Sequence, residues 1–181
     1  MPLHPLLRRF LESRDPVLVY GPAATGKTRL ALEFYWEAAR LGYEPVLVAT
    51  EPGTVTVAEE VGVPYTPVLT LDELVRVLAE EAAKGRYLIV DSVNFHYRGG
   101  AWPENARLLA LSSSLVYEVG GFATAQVSGE GRPSGEPYIM PWARVAARTR
   151  RGPGGLFIVE VLRPVERTLA FRLEAGRVRW L

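Results

Sequence analysis

The stretch GPAATGKT, residues 21–28, sets Gly21, Gly26, Lys27 and Thr28 at the spacing G-x-x-x-x-G-K-[ST]. Each of these residue types has its own task around a chain of phosphates. Glycine lets backbone N–H groups approach closely and take unusual angles. Lysine brings a compact point charge to the β- and γ-phosphates, where the broad planar fork of arginine fits poorly. The Thr28 hydroxyl suits Mg²⁺. Pro22, Ala23, Ala24 and Thr25 fill the variable positions and Arg29 follows, so residues 21–29 are the expected ATP-binding segment. The lysine stands out, because the chain holds two lysines against nineteen arginines. The competing explanation is a chance glycine-rich turn. Context argues against it: the apolar run PVLVY (16–20) precedes the loop, and KTRLALEFYWEAARLG (27–42), a helix pattern stopped by Gly42, follows it.

A phosphate loop needs an acid for its metal. Asp91 ends the apolar run YLIVD, a Walker B arrangement. Of the chain's three aspartates, Asp15 precedes a strand and Asp72 sits in a helix's first turn, which leaves Asp91. A helix or turn cap is its alternative role. Hydrolysis also needs a group that orients or deprotonates water. Glu51 follows the buried run PVLVAT (45–50), at the edge where open α/β sheets place their ligands. Its bland alternative is a surface glutamate in a turn before Pro52. Lys27 and Glu51 are thus the expected catalytic pair, and Thr28 and Asp91 the expected Mg²⁺ ligands. Gln126, inside ATAQVS, is either a γ-phosphate sensor or a satisfied buried amide. His96 reads as a packed or surface side chain before a phosphate or DNA contact. Trp36, Trp102, Trp142 and Trp180 read as packing residues before base-stacking ones.

These residues need a scaffold, and the hydrophobic periodicity supplies one. Residues 1–15 carry a short amphipathic helix, with Leu3, Leu6, Leu7, Phe10 and Leu11 on one side. Apolar runs at 16–20, 45–50, 86–92 and 121–128 are of the buried-strand type, and helix patterns at 27–42, 54–63, 70–85 and 103–119 separate them. Thr70 and Glu73 have capping-box spacing. Strands that alternate with helices imply a mainly parallel central sheet flanked by helices. After the Gly/Pro-rich stretch at 129–137 the pattern changes. Short, partly alternating runs at 143–150, 155–162, 167–174 and 177–181 imply an antiparallel C-terminal extension of the sheet. No linker divides the chain, so residues 1–181 are expected to form one α/β domain, with 143–181 as its C-terminal strands.

With no cysteine, disulfides, zinc–thiolate sites and cysteine nucleophiles are excluded. No long apolar run suggests a membrane span, and the N-terminus lacks the order of a signal peptide, so a cytoplasmic location is expected. Net charge is +1, unevenly placed. Residues 1–131 hold nine Arg and two Lys against thirteen Glu and three Asp, net −5; residues 132–181 hold ten Arg against four Glu, net +6. The basic end is either a nucleic-acid surface or a set of solvated strand faces. Arg98 and Arg132, in two loops at the expected ligand edge, are the candidate DNA contacts.

VLVYGPAATGKTRLALEF, VLVATEPG, YLIVDSVNFHYRGG and TAQVS occur in the order and spacing of the RecA-type P-loop recombinases, and the chain most resembles the archaeal RadA and RadB group. The resemblance implies a RecA-type fold and an ATPase in which Glu51 activates water, Asp91–Ser92 ends Walker B and Gln126 senses the γ-phosphate. It implies ATP and Mg²⁺ as ligands, and single- or double-stranded DNA, a recombinase or further copies of the chain as partners. VEVLRPVERTLAFRLEAGRVRW resembles the family's closing strands, with Pro164 in the segment that can cap a neighbour's ATP. The helical DNA-binding domain and polymerisation motif of full recombinases are missing from this sequence, and the two loops that would meet DNA are short. A compact RadB-like paralogue assisting recombination or DNA repair fits best. The alternatives are a nucleotide-gated regulatory subunit with little hydrolysis and a KaiC-like signalling ATPase.

Overall fold

The computed structural model describes residues 2–99, 103–129 and 131–181, with the backbone alone for residues 98 and 99. Helix α1 (Pro5–Glu12) starts on a proline, whose missing N–H costs nothing at that position. Strand β1 (Val17–Gly21) leads through the glycine loop into α2 (Lys27–Arg40). The chain continues as β2 (Pro45–Ala49), α3 (Pro52–Val61), β3 (Tyr65–Pro67), α4 (Leu71–Ala83) and β4 (Tyr87–Asp91). Then come α5 (Pro103–Glu118), β5 (Phe122–Gln126), the one-turn α6 (Glu136–Ile139) and four strands: β6 (Val145–Arg151), β7 (Phe157–Arg163), β8 (Arg167–Glu174) and β9 (Arg177–Trp180). At α4, Thr70 Oγ1 accepts from the Glu73 N–H as expected, while the Glu73 carboxylate reaches one residue further back, to the Leu69 N–H.

The described strands form one sheet in the order β3-β2-β4-β5-β1-β6-β7-β8-β9. From β3 to β6 all neighbours are parallel, and from β6 to β9 all are antiparallel. The expected antiparallel extension therefore begins one strand late, since β6 runs parallel to β1. The segment after β5 crosses back along the sheet, so β6 enters from the same end as β1. Its half-exposed pattern comes from a bare face bearing Arg148 and Arg150 rather than from a hairpin. Two short elements escape the periodicity. β3 is three residues long and holds Pro67 at the sheet's edge, where a missing donor is tolerated. α6 lies inside and just beyond the expected glycine/proline loop.

Alternation along the strands divides the core into two layers. Val17 and Val19 of β1 face α1, α2 and α3, packing with Leu7, Phe10, Leu30 and Phe34. Leu18 and Tyr20 face the other side, where α4 and α5 contribute Leu74, Leu78, Leu109 and Val116. Every residue of β1, β4 and β5 is buried. These parallel strands end at one edge of the sheet, in register: Gly21 beside Gln126, and Ala49 beside Asp91. That edge is where the candidate residues meet.

Candidate functional site

The loop between β1 and α2 is built from its backbone angles. Ala24 (φ 57°) and Gly26 (φ 88°) are both left-handed, a conformation that turns successive N–H groups toward one concavity. Its floor explains why glycine stands at both ends. A Cβ on Gly21 would lie 2.4 Å from Thr149 Oγ1 of the adjacent β6. A Cβ on Gly26 would lie 2.7 Å from the Phe171 ring of β8. Thr25 ties the loop down, donating to or accepting from Thr149 Oγ1 at 2.7 Å and donating to the Pro22 carbonyl at 2.8 Å. Phe157 and Phe171 stack behind Gly26, with centroids 5.0 Å apart and planes within 10°.

Lys27, buried, donates to the carbonyls of Gly21 (2.9 Å) and Pro22 (2.8 Å) and approaches Gln126 Oε1 at 3.5 Å. The Thr28 hydroxyl donates to Asp91 Oδ2 at 2.7 Å. Asp91 is 1% exposed, and two hydroxyls that the sequence reading missed complete its shell. Thr54 of α3 donates to Oδ2 at 2.7 Å, and Thr124 of β5 donates to Oδ1. Thr124 lies two residues before Gln126, a polar residue in an otherwise apolar strand. That anomaly was the available signal. The Asp91–Ser92 peptide is cis.

Glu51 sits just past β2, as the N-cap residue of α3. Its Oε1 accepts from Ser92 Oγ at 2.6 Å, and Gln126 Nε2 donates to both carboxylate oxygens at 3.0 Å. Gln126 thus touches both Lys27 and Glu51. Asn94, also missed from sequence, holds Gln126 from behind. It accepts from the Gln126 N–H and donates to the carbonyls of Gln126 and Ser134, each at 2.9 Å. Lys27, Gln126 and Glu51 therefore form one hydrogen-bonded set and Thr28 and Asp91 another, the two adjoining where Ser92, next to Asp91, bonds Glu51. Beside them opens a cavity of about 310 Å³, walled by Arg29, Glu51, Gln126, Arg151, Phe157 and Leu173 among others.

Asp91 and Thr28 are the residues of the site that could hold a cation. Among the described residues no three His, Asp or Glu side chains come together as a metal cage. One carboxylate and one hydroxyl, Asp91 and Thr28, suit an ion that keeps its waters and takes its other oxygens from a ligand, the habit of Mg²⁺.

Helix α2 is fixed to the C-terminal strands beyond the loop. Arg29 donates to the Gly176 carbonyl at 3.2 Å. Arg177 of β9 forms two bonds to the buried Glu33 carboxylate, at 2.9 and 3.1 Å, and lies 3.8 Å over the Trp36 ring. The Glu33 bond holds the Arg177 guanidinium above its ordinary pKa.

The other candidates lie apart from these sets. The Arg98 side chain and Trp102 lie outside the described residues. Arg132 is exposed and faces Glu136 at 3.5 Å. His96 Nε2 is bound to the Val68 carbonyl at 2.9 Å, the packed arrangement. Trp36 and Trp180 pack against Arg177 and Phe171, while Trp142 is half exposed. Two of the six surplus charges of residues 132–181 are met by acids from outside that segment. Arg148 and Arg150 share Glu160, Arg179 pairs with Glu174, and Arg144 and Arg177 take acids from the first two thirds, Asp15 and Glu33. No helix among the described residues is long and apolar enough to cross a membrane.

Set beside known proteins, the chain matches no family model and no curated protein.

Proposed function

We propose that this chain is a RecA-type P-loop ATPase, binding ATP at residues 21–29 and hydrolysing it at the edge where β1, β2, β4 and β5 end. The observation that carries this is the meeting of the two hydrogen-bonded sets at one edge of the sheet. Five residues from four separate stretches of sequence meet, which supports the reading: Lys27 and Thr28 behind the loop, Asp91 on Thr28, and Glu51 and Gln126 together at the far side. The loop N–H groups and the start of α2 receive the phosphates. Lys27 exchanges its loop carbonyls for phosphate oxygens. Mg²⁺, held by Thr28 and Asp91 when bound, supplies charge neutralisation at the phosphates. Glu51 takes a proton from the attacking water as the bond from the γ-phosphorus to its bridging oxygen breaks, releasing phosphate and ADP. Gln126, in touch with Lys27 and Glu51 at once, links the occupied γ-position to the base.

A second reading has an observation of its own. Gln126 and Ser92 hold the Glu51 carboxylate in this arrangement, so a nucleotide-gated regulatory paralogue that binds a recombinase with little hydrolysis also fits. Whether the chain's own partner is DNA or a recombinase rests on the sequence resemblance, with Arg132 as the described candidate DNA contact. Calorimetric titration of ATP with Mg²⁺, combined with a phosphate-release assay, tests the proposal. Lys27→Ala should abolish most binding. Glu51→Gln should bind normally while turnover falls by roughly 10²–10⁴-fold. Unaltered binding in Lys27→Ala would overturn the phosphate-loop assignment, and wild-type binding without turnover would favour the second reading.

A further inference from the structure

The chain owns three side-chain carboxamides, Asn94, Asn105 and Gln126, and two of them meet at the candidate site. Asn94 is fully buried, just past the end of β4. The ladder between β4 and β5 stops at Val90 and Ala123, and one further bond, from the Val93 N–H to the Thr124 carbonyl at 2.9 Å, carries the contact on. Two residues later along β5, the Asn94 side chain stands where the next peptide group of a neighbouring strand would. Its Oδ1 accepts from the Gln126 N–H, and its Nδ2 donates to the carbonyls of Gln126 and Ser134. Both of its N–H donors are thus used, and a flipped amide would set N–H against N–H and oxygen against two carbonyls. The Ser134 N–H donates to the same Gln126 carbonyl at 3.1 Å, so Asn94 also pins the far end of the turn that follows β5. A filled, buried network of this kind holds one geometry. Asn94 itself does not line the cavity.

We infer that Asn94 is a positioning residue for hydrolysis: it fixes the end of β5 so that the Gln126 side chain spans Lys27 and Glu51, and it does so without touching the nucleotide. This role rests on the nucleotide-binding reading above and adds a determinant of turnover to it. Gln126 is the last residue of β5. On one side β1 runs beside it in register, Gly21 next to Gln126. On the other side a single side chain, Asn94, does the work of a strand. The Gln126 amide lies 3.5 Å from Lys27 Nζ through Oε1 and 3.0 Å from both Glu51 oxygens through Nε2. Both contacts depend on where the Gln126 backbone stands and how its peptide is turned. A group displaced by about 1 Å can lose roughly a hundredfold in rate. Affinity in the ground state comes from the loop, Lys27 and Thr28, which Asn94 does not touch.

Asn94→Ala, Gln126→Ala and the double variant test it, each compared with wild type by ATP titration, phosphate release and side-chain amide spectra of nitrogen-labelled protein without nucleotide. Asn94→Ala should bind ATP within about threefold of wild type and turn it over roughly 10–100-fold more slowly. In the Gln126→Ala background the same substitution should cost no further turnover, because the side chain it positions is gone. A residue that only supports the fold would slow both backgrounds alike. The spectrum is independent of turnover. It should hold three pairs of side-chain amide signals, and each single variant identifies its own by loss. The Gln126 pair, bonded to a carboxylate in wild type, should move toward the position of free glutamine in Asn94→Ala. If Asn94→Ala melts below the assay temperature, Asn94→Ser, whose hydroxyl and small volume leave room for a bridging water, goes through the same cycle. Losses that multiply, or a Gln126 pair that keeps its wild-type position, overturn the inference and leave the phosphate loop standing. Wild type that binds ATP but releases no phosphate overturns it too, since there is then no hydrolysis to position. Wild type that binds no ATP overturns the loop assignment itself.

Discussion

Replacing Thr124 by valine removes one hydroxyl and keeps the branched shape. Thr124 is fully buried in β5, and Asp91 beside it is 1% exposed. Among the described residues, Oδ1 of Asp91 accepts from Thr124 alone, whereas Oδ2 accepts from both Thr28 and Thr54. Valine at 124 therefore leaves a buried carboxylate oxygen without its donor. Valine at 54 leaves its oxygen with one donor still in place. A hydrogen bond to a charged group contributes about 1.5–3 kcal/mol, and a stranded buried acceptor sits at the upper end. Thr124→Val should thus cost about 2–3 kcal/mol of folding stability and Thr54→Val about 1 kcal/mol. For a chain of this length that is a fall of roughly 4–12 °C against roughly 2–4 °C. Urea unfolding and thermal melts followed by circular dichroism, without nucleotide, give both numbers. If Thr54→Val proves the more damaging, or Thr124→Val stays within about 0.5 kcal/mol of wild type, the hydroxyl shell does not hold Asp91 as argued.

Gly26→Ala places a Cβ 2.7 Å from the Phe171 ring at a φ of 88°. The left-handed backbone and the displaced ring together should cost about 2–4 kcal/mol and weaken ATP binding, and urea titration within 1 kcal/mol of wild type would contradict this. Glu160 concerns pH. Bonds from Arg150 and then Arg148 hold its carboxyl below the ordinary 4.5. A depressed carboxyl stabilises the fold fully above the ordinary value and loses that contribution as pH falls through the folded one. The pair is partly solvated, so the effect is small. The urea midpoint of wild type should exceed that of Glu160→Gln at neutral pH, and the gap should close in acid steps below 4.5.

The parts of the site that the sequence reveals are those carried by strand ends. A polar residue just past a buried parallel strand must emerge at the same edge as its neighbours. That puts Asp91 and Glu51 near the loop from sequence alone, whereas Gln126 reads as lying inside a strand over 121–128 and reaches the site only through the family resemblance. What stayed hidden depends on register and on direction. Thr124 meets Asp91 because β4 and β5 align as they do, and Thr54 because α3 starts at Pro52, two residues earlier than its apolar pattern suggests. Phe157 and Phe171 look like ordinary core residues, and only the missing Cβ of Gly26 shows what they support. The direction of β6 turns on the crossing after β5, which leaves no periodicity. Charge counted by segment does not show pairs made across the chain, as Glu33 and Asp15 do with two arginines more than a hundred positions away.

The seating of Gly26 on Phe171, with Arg29 on the Gly176 carbonyl and Glu33 on Arg177, has a consequence in time. A ribosome makes the phosphate loop early, yet the floor beneath it emerges some 145 residues later. At roughly 5–20 residues per second that is a delay of about 7–30 s. Through that interval Lys27 and Thr28 exist as sequence but the loop has no bed to lie on. The nascent chain can pair β2 with β4, and β1 once β5 is made, but the loop lacks the Phe171 floor under Gly26 until β8 joins the sheet. The first functional stretch to be synthesised is therefore among the last to take its final form.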